Sequence, residues 1–303
     1  MKGFRKKSSL YQKSTAEKIV FAIAFVILGI WAISILYPLV WLMTNSLKDS
    51  WFYTIDLSKG LKLPTSGEWQ FENYIEAFNE LGVKTPTSIE PTRLFGLIFN
   101  SVWYAVLSLG IDMFFTSCTG YVLSKYKFRG RDFIYGTAIV CMTLPIIGTG
   151  GAWYTFYYQT GMYDTPWYVV FSSLSAFGTR FLLLYGCFKS ISWEYAEAVF
   201  LDGGNDFTVF FRIMLPLAMP MIMTLSLMGF IGVWNAYEAF LIYMPSYPTL
   251  AVGLYKLGEN YKDVGDWPVY YAAMIVAMVP VITVFIIFSD KIMTNVSIGG
   301  LKG

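Results

Sequence analysis

Long apolar stretches recur six times along this chain, at roughly residues 19–46, 94–123, 133–158, 167–189, 216–244 and 269–289. A helix of about 20 such residues crosses the hydrocarbon of a bilayer. Inside that hydrocarbon every backbone N–H and C=O must find a partner within the protein, so helices are the expected solution. The expected fold is an all-α polytopic membrane protein with six transmembrane helices, in one domain over residues 1–303. No short-period repeat and no low-complexity linker divides it. Composition agrees, since 56% apolar and 14% charged residues with a mean hydropathy of +0.52 are outside the range of a soluble domain. Residues 1–18 carry six basic residues and one acid. The apolar run that follows is far longer than a signal-peptide core, so a retained anchor is expected.

Orientation follows from where lysine and arginine sit. With the N-terminus inside, residues 1–18, 124–132, 189–215 and 290–303 hold 14 of the 22 basic residues against 7 acids. The opposite segments, 47–93, 159–166 and 245–268, hold 7 basic residues and 11 acids. The positive-inside rule then puts both termini in the cytoplasm. The tight turn Lys125-Tyr126-Lys127-Phe128-Arg129-Gly130-Arg131 reads as a topology anchor beside anionic lipid. The large outer segment 47–93 is expected to hold a short helix near Phe71–Leu81, where Phe71, Tyr74, Ile75 and Phe78 recur at helical spacing. Residues 245–267 read as an outer loop.

Charges inside apolar spans are functional candidates, because burying them in hydrocarbon is costly. They are Asp112, Arg180 and Glu238. Asp112 and Arg180 fall at similar depth in the second and fourth spans, so they are expected either to pair or to line a solute route. Glu238, beside Trp234, Asn235 and Tyr237, suits a solvated vestibule or a ligand contact. Pro38, Pro145 and Pro280 suggest kinks.

Several chemistries are excluded. There is no histidine, hence no Ser-His-Asp triad and no histidine zinc site. No Gly-x-x-x-x-Gly-Lys-Ser/Thr loop is present to bind a nucleotide, and no basic and aromatic stripe suits nucleic acid. Cys118, Cys141 and Cys187 lie in apolar segments and do not form a disulfide framework. A transporter or channel subunit fits; an enzyme does not.

One polar stretch between apolar spans breaks the pattern. From Glu194 to Leu201 it keeps helical spacing with acid in the first turn, and Ser192 can cap it. Asp202-Gly203-Gly204 then interrupts, because glycine takes up positive φ easily. Asn205 can cap a second helix running to Pro216 and Pro220. Tyr195, Val199, Phe200, Phe207, Phe210 and Phe211 are offered as apolar contacts. An amphipathic loop on lipid and a plug for a groove on another protein are both compatible with this spacing. Interfacial helices are usually rich in lysine and arginine, and here four acids dominate, which favours a protein partner.

These residues resemble the coupling loop of binding-protein-dependent ABC importers, whose pattern is Glu-Ala-Ala, a few residues, Asp-Gly-Ala, then Ile-x-Leu-Pro and a second Pro. The matching positions are Glu197-Ala198-Val199, Asp202-Gly203-Gly204, Ile213-x-Leu215-Pro216 and Pro220. The rest of the chain is similar to the smaller permease subunit of maltose-type and multiple-sugar importers. The similarity runs through Pro38 to Lys48, Asn100-Ser101, Tyr126-x-Phe128-x-Gly130, Trp234-Asn235, Thr249-Leu250-x-x-Gly253-Leu254 and the tail Gly299 to Gly303. Three positions depart from the pattern: Val199 and Gly204 each stand where alanine is usual, and Ser192 where proline is.

The resemblance implies a single ABC importer transmembrane domain in a bacterial plasma membrane. It takes up a carbohydrate brought by an extracellular solute-binding protein, beside a second related permease. Two ATPase subunits use ATP and Mg, while this chain binds no cofactor or metal. Glu194, Glu197, Ala198, Val199, Asp202, Gly203, Gly204, Phe207 and Pro216 are the expected ATPase-coupling residues, on a cytoplasmic coupling helix. Tyr247, Thr249, Tyr255 and Trp267 are the expected contacts for the binding protein, and the C-terminal tail is expected to touch the ATPases. A permease of the same build for a non-sugar solute, and a stand-alone channel or carrier using Asp112, Arg180 and Glu238, are the alternatives.

Overall fold

The computed structural model describes residues 14–55, 69–144, 148–264 and 266–299. Pro145 and the tail beyond Gly299 lie outside the described residues. Four described helices are long and apolar enough to cross a membrane: Thr15–Asn45, Leu94–Lys125, Asp206–Trp234 and Trp267–Ile287. The two other expected spans are each built from shorter pieces.

Helix α1 (Thr15–Asn45) starts at a capping box, with Ser14 Oγ accepting from Glu17 N and Glu17 Oε2 accepting from Ser14 N. It is apolar all round and stays exposed along most of its length. A short α2 (Ser50–Ile55) follows. Helix α3 (Glu72–Glu80) lies where the spacing of Phe71 to Leu81 puts a helix. Asn73 fastens it by donating to Ser46 O at 2.9 Å and Lys48 O at 2.8 Å. Next comes a hairpin that the alternation did not announce. Strand β1 (Gly82–Thr85) pairs antiparallel with β2 (Ser88–Arg93), Gly82 opposite Arg93 and Thr85 opposite Ser88.

Helix α4 (Leu94–Lys125) is the continuous second span, and the bundle is arranged on it. The third expected span divides into α5 (Arg131–Thr143) and α6 (Gly150–Gln159). The fourth divides into α7 (Pro166–Ser172) and α8 (Thr179–Ser190). Helices α9 (Glu194–Leu201) and α10 (Asp206–Thr208) come before a π-helical stretch, Val209–Met214, that runs straight into α11 (Leu215–Trp234). The second short helix therefore does not stop at the prolines. Leu215 N–H reaches back to Phe210 O, and this wider turn lets Pro216 enter a helix without breaking it. The fifth span stops at Trp234, and α12 (Glu238–Tyr243) is a separate piece. Residues 245–267 are not a bare loop: α13 (Leu250–Val264) occupies most of them, packed on α14 (Trp267–Gly299), α4 and β1.

Two large apolar cores lie at the ends of α4, and a smaller cluster joins its Leu123 to Ala138 and Phe181. At one end Leu81, Leu97, Val169, Phe240, Leu250 and Val269 are buried together. At the end bearing Lys125 to Arg131, Tyr121, Leu184, Phe188, Ala196, Val209 and Met214 close the second. Between them α4 meets the α7–α8 break through polar contacts. Ser173 Oγ donates to Ser108 Oγ at 3.0 Å, and Arg180 donates to Asp112. The Thr116 hydroxyl lies 2.9 Å from Ser175 O and 3.2 Å from Asp112 Oδ1. Ser108, Asp112 and Thr116 are four residues apart, so one stripe of α4 serves the whole break. The next position on that stripe is Gly120, where a Cβ would lie 3.2 Å from Tyr185 N and 3.4 Å from the Leu184 carbonyl carbon. Small residues let membrane helices approach this closely.

Because the obstruction at Gly120 is backbone, it cannot move aside. Gly120→Leu is expected to destabilise the detergent-solubilised protein by about 1–3 kcal/mol, the usual range for overpacking. Gly110→Leu on the same helix has nothing within 4 Å of its Cβ and should leave the thermal midpoint unchanged. Thermal unfolding of the two variants side by side checks the difference.

Candidate functional site

The polar stretch folds into a knob on the basic end of the bundle. Ser192 Oγ accepts from Glu194 N at 3.3 Å at the start of α9. At its end Asp202 N bonds Ala198 O, Gly203 N bonds Phe200 O, and Gly204 N bonds Val199 O at 2.8 Å, which pairs the last carbonyls of the helix. Gly203 has φ +80°, a conformation only glycine adopts without strain. Asn205 Oδ1 then accepts from Thr208 N at 2.9 Å and caps the following helix.

The root of the knob is anchored. Lys125 Nζ donates to Ile191 O, and Tyr126 Oη donates to Asp206 Oδ1 at 2.6 Å. Burial, followed by that bond to Asp206, holds the Tyr126 phenol well above its usual pKa. Trp193 packs edge-on to Tyr126 at 5.8 Å, and Ala196 is fully buried. Phe210 also turns inward, 7% exposed, to stack near Tyr121 at 5.0 Å. It belongs to the root, whereas the residue pattern had offered it as an outward contact. The period changes in the π-helical stretch, which turns Phe210 to the inside while Phe211 stays half exposed.

The tip is free. Leu201 is 89% exposed and Phe207 74%, with Tyr195 and Phe200 beside them. Glu194, Glu197, Ala198, Asp202, Gly203 and Pro216 are exposed, while Val199 and Gly204 are half-buried where the two helices meet. Among the described residues no cation pairs with Glu194, Glu197 or Asp202. The knob therefore presents three unpaired carboxylates around bulky apolar side chains.

The two departures from the loop pattern meet in space. A Cβ on Gly204 would lie 2.4 Å from Val199 Cγ1 and 3.0 Å from Val199 O. The larger residue at 199 thus occupies the space left by the missing methyl at 204, and the hinge keeps its volume.

The other expected site residues separate. Asp112 and Arg180 form an ion pair across α4 and α8. Glu238 is exposed at the start of α12 and joins neither. At the far end Tyr255 is partly exposed and stacked on Tyr237 at 4.8 Å, and Trp267 lies against Tyr270 and Tyr271. Tyr247 is half-buried beside Trp103. Thr249 cannot offer its side chain to a partner: it is 1% exposed and its hydroxyl accepts from Val252 N in the first turn of α13. Ser108, Thr116 and Gly120 were missed as partners of the broken span, although they stand four, four and eight residues from Asp112 on one helix face.

Among the described residues no cluster of metal-ligating side chains occurs. Residues 116–296 match the family described as binding-protein-dependent transport system inner membrane component, which is more than half of the 303-residue chain. The chain belongs to that family. The matched part of this transport component begins in the polar stripe of α4 and includes the whole knob. Over 283 residues, 92% of this chain and 88% of the relative, it is 27% identical to the probable ABC transporter permease protein YurM of Bacillus subtilis (strain 168). It is also 27% identical over 287 residues, 93% and 89% of the two chains, to the diacetylchitobiose uptake system permease protein NgcG of Streptomyces coelicolor. One chain of a bacterial ABC transporter involved in import of the acidic polysaccharide alginate superposes with a TM-score of 0.73 at 21% identity, covering 92% of this chain and 99% of that one. That likeness establishes a shared fold.

The contact between Val199 and Gly204 makes a double-mutant test. Gly204→Ala alone should cost about 1–3 kcal/mol through overpacking. Val199→Ala in the same chain should recover most of the loss, a coupling expected of residues in contact. Thermal midpoints of wild type, both single variants and the double variant measure it; strictly additive values would remove the pairing.

Proposed function

We propose that this transport component is one permease subunit of an ATP-driven ABC importer that takes up a carbohydrate delivered by an extracellular solute-binding protein. The observation that carries the reading is the knob, a glycine-hinged pair of short helices with a rigid root and a free tip of acids and aromatics. Such a tip suits a groove with basic rims on another protein. The names of relatives support the cargo, since NgcG serves diacetylchitobiose uptake and the alginate transporter moves an acidic polysaccharide. The partners are two ATPase subunits, a second related permease and the binding protein. ATP and Mg belong to the ATPases. The basic end, with Lys125 to Arg131 and the knob, faces the cytoplasm of a bacterium, and the end with α3, the hairpin and α13 faces outward.

The mechanism follows from how the knob is connected. It joins α8 through Ile191, and it joins α11 through an unbroken helical run from Asp206 to Trp234. At 1.5 Å per residue that run of 29 residues is a lever of about 44 Å. Movement imposed on the knob by ATPase closure is delivered to both helices together. Each ends in a break, at Ser173 to Gly178 for α8 and at Asn235 to Tyr237 for α11, where the backbone can absorb rotation. Alternating access then arises as rigid-body rocking of the spans. Glu197, Asp202 and Gly203 transmit force in this scheme and take part in no bond-making step.

Glu197→Lys reverses a charge at the free tip without touching the root. The variant is expected to reach the membrane in normal amount, to lose ATPase subunits on purification, and to show no sugar uptake. Full stimulation of ATP hydrolysis by sugar-loaded binding protein in that variant would contradict the coupling role.

A further inference from the structure

Beside the Asp112–Arg180 pair lies a polar recess of about 240 Å³, lined by Asp112, Thr116, Ser175, Thr179 and Arg180. At about 30 Å³ per water molecule, it holds several waters or one face of a sugar ring. It opens beside the break between α7 and α8, part-way along α4 and between the two apolar cores. Arg180 is 39% exposed on its side chain, and its one hydrogen-bond partner is Asp112, reached from Nη1. The donors on Nε and Nη2 have no partner among the described residues. Gly229 of α11 gives the guanidinium its room, because a Cβ there would lie 2.9 Å from Nη1.

Unpaired donors at this depth cannot face hydrocarbon, where each costs several kcal/mol. They must face water, a solute or another protein. The recess carries no net charge, since Asp112 balances Arg180, yet it offers a planar fork of donors with the Thr179 hydroxyl beside it. A neutral recess of that kind suits vicinal hydroxyl groups, with the fork donating to both oxygens. We propose that this recess is a subsite on the solute route that holds hydroxyls of a passing neutral carbohydrate, with Arg180 and Thr179 as the contacting residues. The proposal rests on the importer reading and adds to it a contact made by this permease itself.

The test uses the full importer purified in detergent with its ATPases and second permease, and without the binding protein. The chain carries Cys118→Ser, Cys141→Ser and Cys187→Ser, with Thr179→Cys as the reporter. A water-soluble sulfonate thiol reagent is expected to label the reporter. Diacetylchitobiose, maltotriose or galactobiose on the order of 10 mM should slow labelling at least about five-fold. Adding Arg180→Lys keeps the charge beside Asp112 but loses the fork. The loss of one charge-assisted hydrogen bond then raises the half-protecting concentration about ten-fold. Should that second variant fail to assemble, the reporter alone decides.

A reporter that is never labelled means that the partner permease covers the recess, and overturns the subsite. So does labelling that no neutral sugar slows, or that only an alginate pentasaccharide slows, which would mark an anion site. Uptake by the wild-type importer, measured separately with the same sugars, distinguishes a failed subsite from a failed importer reading: sugar uptake without protection removes the first alone, and no uptake of any carbohydrate removes both.

Discussion

The fold depends on how a membrane helix can be broken without leaving its backbone unpaired. Between α7 and α8 the chain leaves helical geometry for Ser173 to Gly178, and in hydrocarbon the carbonyls and amides released there need partners from the protein. The amides of Ser173, Leu174 and Ser175 bond back to Val169, Phe171 and Ser173 O, and a single stripe of α4 supplies a partner for Ser175 O and fastens two side chains. Thr116 bonds Ser175 O, Ser108 bonds Ser173, and Asp112 holds Arg180 at the first turn of α8. One turn further on, Gly120 brings the two backbones into direct contact. That stripe holds both pieces, α7 and α8, against α4 across the break.

On the proposed coupling role, the same arrangement lets the knob act at a distance. Its root is tied through Lys125 and Tyr126 to the end of α4, while its two arms lead into α8 and the long run to Trp234. In the proposed importer, a push at the tip is passed to α8 and α11 together, with α8 packed closely on α4 at Gly120. The α8 arm begins beside the polar layer, with Phe181 of its first turn buried against Leu123 and Ala138. Close-packed cores resist small displacements, whereas hydrogen bonds can be exchanged with water. The polar middle of the bundle is thus the part most able to rearrange, and it is where the recess lies.

Much of this was legible in the residues. Apolar runs located the four described helices long enough to cross a bilayer, because bilayer thickness fixes a length, and the glycine pair with its flanking caps specified the knob because few residues tolerate that backbone. Asp112 and Arg180 stood out because charge in hydrocarbon demands a partner. The break in the fourth expected span was hidden by apolar length alone, although Ser172, Ser173, Ser175 and Gly178 fall where it lies and α8 is less apolar than the unbroken helices. Helix α13 was hidden by tyrosine, proline and glycine content, and its stability comes from packing on α14 and α4. The burial of Phe210 was hidden for another reason: a π-helical turn shifts the period, and helical spacing assumes 3.6 residues per turn.

The pairing of Val199 with Gly204 carries the argument one step further. A pattern written as Ala then Ala can be satisfied as Val then Gly when the two side chains share one space, so each departure taken alone misstates the constraint. What the hinge requires is a fixed volume between the end of α9 and the start of the next helix, together with a positive φ at Gly203. The acids Glu194, Glu197 and Asp202 and the side chain of Leu201 are free of that constraint, because they are exposed and, among the described residues, the three acids pair with no cation. In the proposed importer their positions answer to the partner's surface, while the hinge volume answers to the fold. This division explains how one loop keeps its shape while the residue at 199 changes in size.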